Sequence, residues 1–149
     1  MKYFFAILVI AVSFSCKKKK VEKQAETDEA IIVQYISDNN LTATATGTGL
    51  YYTIDVVGSG ASPNVNSDVI VAYQGYYTDG TIFDESLQTG IEFNLQGVIQ
   101  GWTEGIPYFR VGGSGKLLIP SALAYGTQGS GSVPPNSVLI FNIDLIEVL

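Results

Sequence analysis

The chain has 149 residues, 46% apolar and 11% aromatic, enough for one domain whose core needs neither disulfides nor metal, and too little for two. With no histidine and a single cysteine, it excludes a Ser-His-Asp or Cys-His engine, a histidine-ligated zinc and an internal disulfide. The net charge of −6 hides an asymmetry: six of the eight basic residues precede residue 24, and beyond it 13 acidic residues outweigh 2 basic ones, a net of −11 that disfavours nucleic acid as a partner.

In chain order, Met1-Lys2 precede a mostly apolar run (3–14) and then Ser15-Cys16. The run is shorter than the about 20 residues a transmembrane helix needs and has the length of a signal-peptide core, so residues 1–15 are expected to be an export signal. A small residue before the lone cysteine resembles the bacterial lipobox, with Cys16 acylated and the membrane its partner. Ser13 departs from that pattern, which has leucine there in most cases. The other reading is an ordinary cleaved signal with an incidental thiol. Lys17 to Lys20 would add attraction to anionic headgroups. Acidic residues after the lipidated cysteine resemble a surface-export tag, so this tetralysine tract favours a periplasm-facing place in the bacterial envelope. Residues 17–27 are charged and lack apolar periodicity, so 16–27 reads as a lipid-anchored flexible tether.

From Asp28 a helix is expected, capped by Thr27 or Asp28, with Ile31, Ile32, Tyr35 and Ile36 on one face and Asn39-Asn40 as its stop. It packs on the domain edge or serves dimerisation. TATATGTG (42–49) reads as a loop, so 28–48 is a helix and linker. Strands follow at 50–57, at 68–78 up to the hairpin signal Asp79-Gly80, in TIFDES, and in IEFNL. In Val98 to Phe109, apolar residues Trp102, Ile106 and Phe109 predict a short helix buried on one face, ending near Pro107. The last strands are 115–121 and 138–149, joined by a loop with Tyr125 and Pro134-Pro135. Strands around one short helix imply an α+β domain.

Four segments in order, AYQGYYTDGTIFDES (72–86), GVIQGWTEGI (97–106), VGGSGKLLIPSALAYG (111–126) and VPPNSVLIFNIDLIEV (133–148), resemble the FKBP family. The resemblance covers 49–149 and implies an FKBP-like antiparallel β-sheet wrapped around one short α-helix, here with an N-terminal helical extension similar to that of FKBP-type lipoproteins, some associated with gliding motility. It implies peptidyl-prolyl cis/trans isomerase activity on proline-containing polypeptides, assisting the folding of exported envelope proteins, with macrolide-type inhibitors and no cofactor or metal. By the same resemblance Trp102 is the pocket floor, Tyr73, Phe83 and Phe141 its walls, and Val98 and Ile99 line one side. The Ile99 N–H would grip the substrate carbonyl, Tyr125 would offer its hydroxyl from the rim, Asp84 is the pocket carboxylate and Val133 the apolar residue of the rim loop. Ile91 stands where many members carry phenylalanine, which is expected to thin one wall.

Each of these residues also has a plain structural reading: Trp102 and Phe141 as core, Asp84 as a turn carboxylate. Adjacent strand residues point to opposite faces, so Asp84-Glu85 does not form the paired carboxylates of a glycosidase. A rival of another class is a non-catalytic peptide-binding or chaperone module of an envelope complex that keeps the pocket for docking.

Overall fold

The computed structural model describes the backbone of residues 4–149 and the side chains of residues 17–149. Its elements are α1 (Phe4–Asp38), β1 (Thr44–Ala45), β2 (Tyr51–Val56), β3 (Asp68–Tyr76), β4 (Ile82–Glu85), β5 (Ile91–Asn94), α2 (Gln100–Gly105), β6 (Ser114–Ile119) and β7 (Leu139–Val148), with short 3₁₀ turns after α2 and β6. The expected leader and the Cys16 side chain lie outside the residues whose side chains are described.

Residues 17–27, expected as a flexible tether, are instead helical and continuous with the helix that follows. Lysine, glutamate, glutamine and alanine are all good helix formers, no glycine or proline interrupts them, and Lys18 reaches Glu22 one turn on at 3.9 Å. Thr27 and Asp28 therefore do not cap a helix start. The Thr27 hydroxyl donates back to the Lys23 carbonyl at 2.9 Å, and Asp28 is turned inward and 1% exposed. Among the described residues, no helix is long and apolar enough to cross a membrane.

The strands form one antiparallel sheet in the order β1-β2-β6-β7-β3-β4, with β5 also paired to β3. β3 pairs with β7 along one edge and divides its other edge between two strands, residues 68–71 with β5 and 74–76 with β4. Bulges at Ile54/Val56, Ile70/Val71 and Gly75/Tyr76 bend the sheet, which curls around α2. The expected loop 42–49 contributes β1, paired to Tyr51 and Tyr52.

Period-two alternation in β7 sends Leu139, Phe141, Ile143 and Leu145 to the core, with Asn142 and Asp144 between them. The inner face meets Trp102, Ile106 and Phe109 of α2 and its 3₁₀ extension. Glycines permit the approach: a Cβ on Gly101 would lie 2.5 Å from Ile119, and one on Gly105 would lie 2.6 Å from Leu117. Pro107 falls in the 3₁₀ turn, which ends the helix where its missing N–H predicts. On the outer face, Ile32 of α1 is fully buried with Leu118 and Val138, flanked by Tyr35, Ile36, Leu41 and Tyr51. Tyr51 also donates its hydroxyl to Glu29. The second half of α1 is thus part of the folded unit.

Candidate functional site

Between the inner face of the sheet and α2 lies a cleft of about 420 Å³, lined by Tyr73, Phe83, Asp84, Phe93, Gly97, Val98, Ile99, Trp102, Tyr125 and Phe141. A larger concavity of about 790 Å³ runs beside α1 between Lys23 and Thr78. Its lining comes almost wholly from one helix, and Tyr35 is the one ring among the residues that line it, so the smaller cleft with its converging aromatics is the candidate site.

Trp102 forms the floor. Three rings meet it edge-on, Tyr73 at 5.1 Å, Phe93 at 5.2 Å and Phe141 at 5.3 Å between centroids, the arrangement that ring quadrupoles favour. Phe83 stands edge-on to Phe141 at 5.6 Å. Each ring comes from a different element: β3 supplies Tyr73, β4 Phe83, β5 Phe93, α2 Trp102 and β7 Phe141. Gly75 of β3 lies opposite Phe141, and a Cβ there would come within 2.7 Å of both the Phe141 and Phe83 rings. The wall exists because that position is glycine.

The polar groups are few. The Tyr73 hydroxyl donates to Asp84 Oδ2 at 2.8 Å, which fixes the ring against the floor. Burial first, and that hydrogen bond second, push the Tyr73 phenol up to about 12. Burial also raises Tyr125, with the Asp84 carboxylate adding to it, so both phenols keep their protons at neutral pH. Glu85, next to Asp84, instead accepts from Gln74 at 3.0 Å and does not line the cleft. Ile99 precedes α2 with extended backbone (φ −58°, ψ 147°), and among the described residues its N–H has no partner. Tyr125 is 37% exposed at the rim.

Of the residues expected at the site, Tyr73, Phe83, Asp84, Val98, Ile99, Trp102, Tyr125 and Phe141 converge here. Two do not. Ile91, at the start of β5, is 45% exposed and does not line the cleft. Phe93, two residues on and on the same face of the strand, supplies the aromatic wall, so that wall is not thinned. Val133 is 6% exposed within the core. It exchanges two backbone hydrogen bonds with Ser130, at 2.8 and 2.9 Å, and so pins the rim loop from beneath without lining the cleft. The alternation in IEFN already placed Phe93 beside Ile91, and it is the larger apolar side chain. Nothing local in the sequence marked Gly75.

A family model for FKBP-type peptidyl-prolyl cis-trans isomerases matches residues 60–146. The chain is 39% identical over 135 residues to the isomerase FkpA of Aeromonas hydrophila, an alignment covering 88% of this chain and 50% of that protein. It is 40% identical over 122 residues to the FKBP-type 22 kDa isomerase of Escherichia coli, covering 78% of this chain and 59% of the relative. The chain spans about half the length of the curated relatives it matches. Among solved structures, a peptidyl-prolyl isomerase from Pseudomonas syringae superposes with a TM-score of 0.75 at 33% identity, covering 85% of this chain and 94% of that one. FkpA from Escherichia coli superposes with a TM-score of 0.73 at 35% identity, covering 99% and 73% respectively. With its aromatic cleft in this fold and a family match over more than half its length, the chain belongs to the FKBP-type peptidyl-prolyl cis-trans isomerase family.

Proposed function

We propose that the chain catalyses cis/trans rotation about X–Pro bonds in polypeptides, and that it does so in a bacterial envelope, assisting the folding of exported proteins. The observation that carries the activity is the cleft itself: four rings around a floor of indole, with a backbone N–H at its side that has no partner among the described residues. Rotation about X–Pro has a barrier of about 18–20 kcal/mol because amide resonance is lost on twisting. The uncatalysed step takes tens to hundreds of seconds. No covalent bond is made, so no nucleophile is needed, in keeping with a chain that has no histidine.

A twisted amide has lost much of its charge separation, so a cleft poor in water favours it over the planar ground state. The proline ring lies on Trp102 between Tyr73, Phe83, Phe93 and Phe141, and Val98 covers one side. The Ile99 N–H holds the substrate carbonyl, and the protonated Tyr125 hydroxyl donates from the rim. Asp84 acts through Tyr73, whose ring it holds in place. A macrolide presenting a similar twisted amide competes for the same space. The test is protease-coupled cleavage of X–Pro peptides by the full chain, beside Tyr125→Phe and Phe141→Ala. Acceleration that falls in the folded variants supports the reading, and none across a panel of residues before proline sinks it.

The envelope assignment rests on the apolar run before Ser15-Cys16. In this reading the run is a signal peptide, Cys16 carries the lipid anchor, and the lysines after it face anionic lipid on the periplasmic side, in keeping with the resemblance of the N-terminal extension to that of FKBP-type lipoproteins. Metabolic labelling with a palmitate analogue tests it: label incorporated by the native chain and lost in Cys16→Ala is expected, and no label refutes the anchor.

A further inference from the structure

A carboxylate buried as deeply as Asp28, 1% exposed, is tolerated only where hydrogen bonds replace the water it has lost. Asp28 Oδ2 accepts the Ser121 N–H at 2.8 Å and the Ser121 hydroxyl at 2.6 Å, while Oδ1 accepts from Gln24 Nε2 at 2.7 Å. Ser121 is itself 2% exposed, and it starts the 3₁₀ turn after β6. Its other end is equally engaged. The Ser121 carbonyl accepts the Ala124 N–H at 3.0 Å and the Gly126 N–H at 2.8 Å, the two residues on either side of Tyr125. Beyond them, the Tyr125 carbonyl accepts from Gly129 at 3.2 Å and the Gly126 carbonyl from Asn136 at 2.8 Å.

An unbroken set of hydrogen bonds therefore runs from α1, through one serine, to the backbone that carries the rim phenol. An apolar contact at position 28 would hold α1 on the sheet as well but would leave the direction of Ser121 free. Two donors from one residue on one carboxylate oxygen fix it. We infer that Asp28 is a positioning residue: through Ser121 it sets the turn that aims Tyr125 over the cleft, so that α1 is a working part of the site rather than a spacer. The kinetic consequence rests on the proposed isomerase activity, whereas the placement of Tyr125 does not.

The test uses the full chain labelled with 3-fluorotyrosine, the Tyr125 line being assigned by its loss in Tyr125→Phe. In Asp28→Ala that line moves and kcat/KM falls by on the order of tenfold, within the range that misplacing a site group by about an ångström produces. Asp28→Asn, which keeps an acceptor oxygen, recovers part of the loss. In a Tyr125→Phe background Asp28→Ala adds less than about twofold, because coupled residues do not lose activity independently. An unmoved line with unchanged kcat/KM in folded Asp28→Ala overturns the inference, and so do losses that simply multiply. If Asp28→Ala fails to fold, Ser121→Ala, which keeps the backbone donor, is read the same way with a smaller loss. If the native chain accelerates no isomerisation, the functional reading falls and the fluorine line alone decides the positioning role.

Discussion

Replacing Trp102 with phenylalanine sets two opposing effects against each other at the cleft floor. The indole is 4% exposed and meets three rings edge-on, yet its Nε1 is buried with no hydrogen-bond partner among the described residues. Phenylalanine removes roughly three heavy atoms from the core, which at about 0.8 kcal/mol per buried methylene-sized group is a loss of about 2–3 kcal/mol. It also removes an unsatisfied buried donor, a relief of about 1–3 kcal/mol. The two nearly cancel, so Trp102→Phe is expected to change stability by no more than about 1 kcal/mol, or about 3–4 °C in Tm for a folded unit of this size. Trp102→Ala leaves a cavity and loses all three ring contacts, about 3–5 kcal/mol. Urea unfolding followed by far-UV circular dichroism measures both variants. A loss of 3 kcal/mol or more in Trp102→Phe would refute the reasoning, since the indole N–H would then be satisfied in the folded protein.

Gly75→Ala places a Cβ 2.7 Å from the Phe83 and Phe141 rings, so it should lower stability by about 1–3 kcal/mol and reduce kcat/KM by spreading the wall, whereas unchanged kinetics would show that the wall tolerates displacement. Ile32→Ala should destabilise the whole domain by about 2–5 kcal/mol, because Ile32 is fully buried against Leu118 and Val138; a chain as stable as the native one would mean that α1 does not fold with the sheet. The phenols predict alkaline behaviour. Tyr73 rises to about 12 through burial and Asp84, and Tyr51 and Tyr125 are raised as well, Tyr51 chiefly by its hydrogen bond to Glu29 and Tyr125 by burial. In the unfolded chain these groups ionise near their ordinary value of about 10. Their stabilisation is therefore complete below pH 10 and declines as pH rises from 10 towards 12. Urea midpoints should show that decline, and a tyrosine absorbance titration of native protein with all phenols ionising together near 10 would contradict it.

Apart from β1, which falls in the segment read as a loop, the strands were legible from their β-branched and aromatic runs and from the turn punctuation between them: Asp79-Gly80 marked the hairpin and Pro107 the end of α2. Eight residues of the cleft were legible through the segments that resemble the family. What escaped lay in relations between distant segments. Residues 17–27 lack an apolar face, and their helix is decided by propensity and by continuity with the buried turn around Ile32. Asp28 read as a helix cap because a carboxylate before an apolar run serves that role locally, and only the fold brings Ser121, 93 residues away, to its side. Ile91 and Val133 were placed by position within motifs, whereas the outcome depended on where β5 meets Trp102 and on how the rim loop closes on itself.

The most direct measurement of the central claim is magnetisation exchange between the cis and trans forms of an X–Pro peptide, recorded by NMR with a substoichiometric amount of the full chain. It sees rotation without a coupled protease. Exchange should rise in proportion to protein added and return to the uncatalysed rate when a macrolide fills the cleft. Peptide resonances that shift on binding while exchange stays at the uncatalysed rate would contradict the account and make the cleft a docking site.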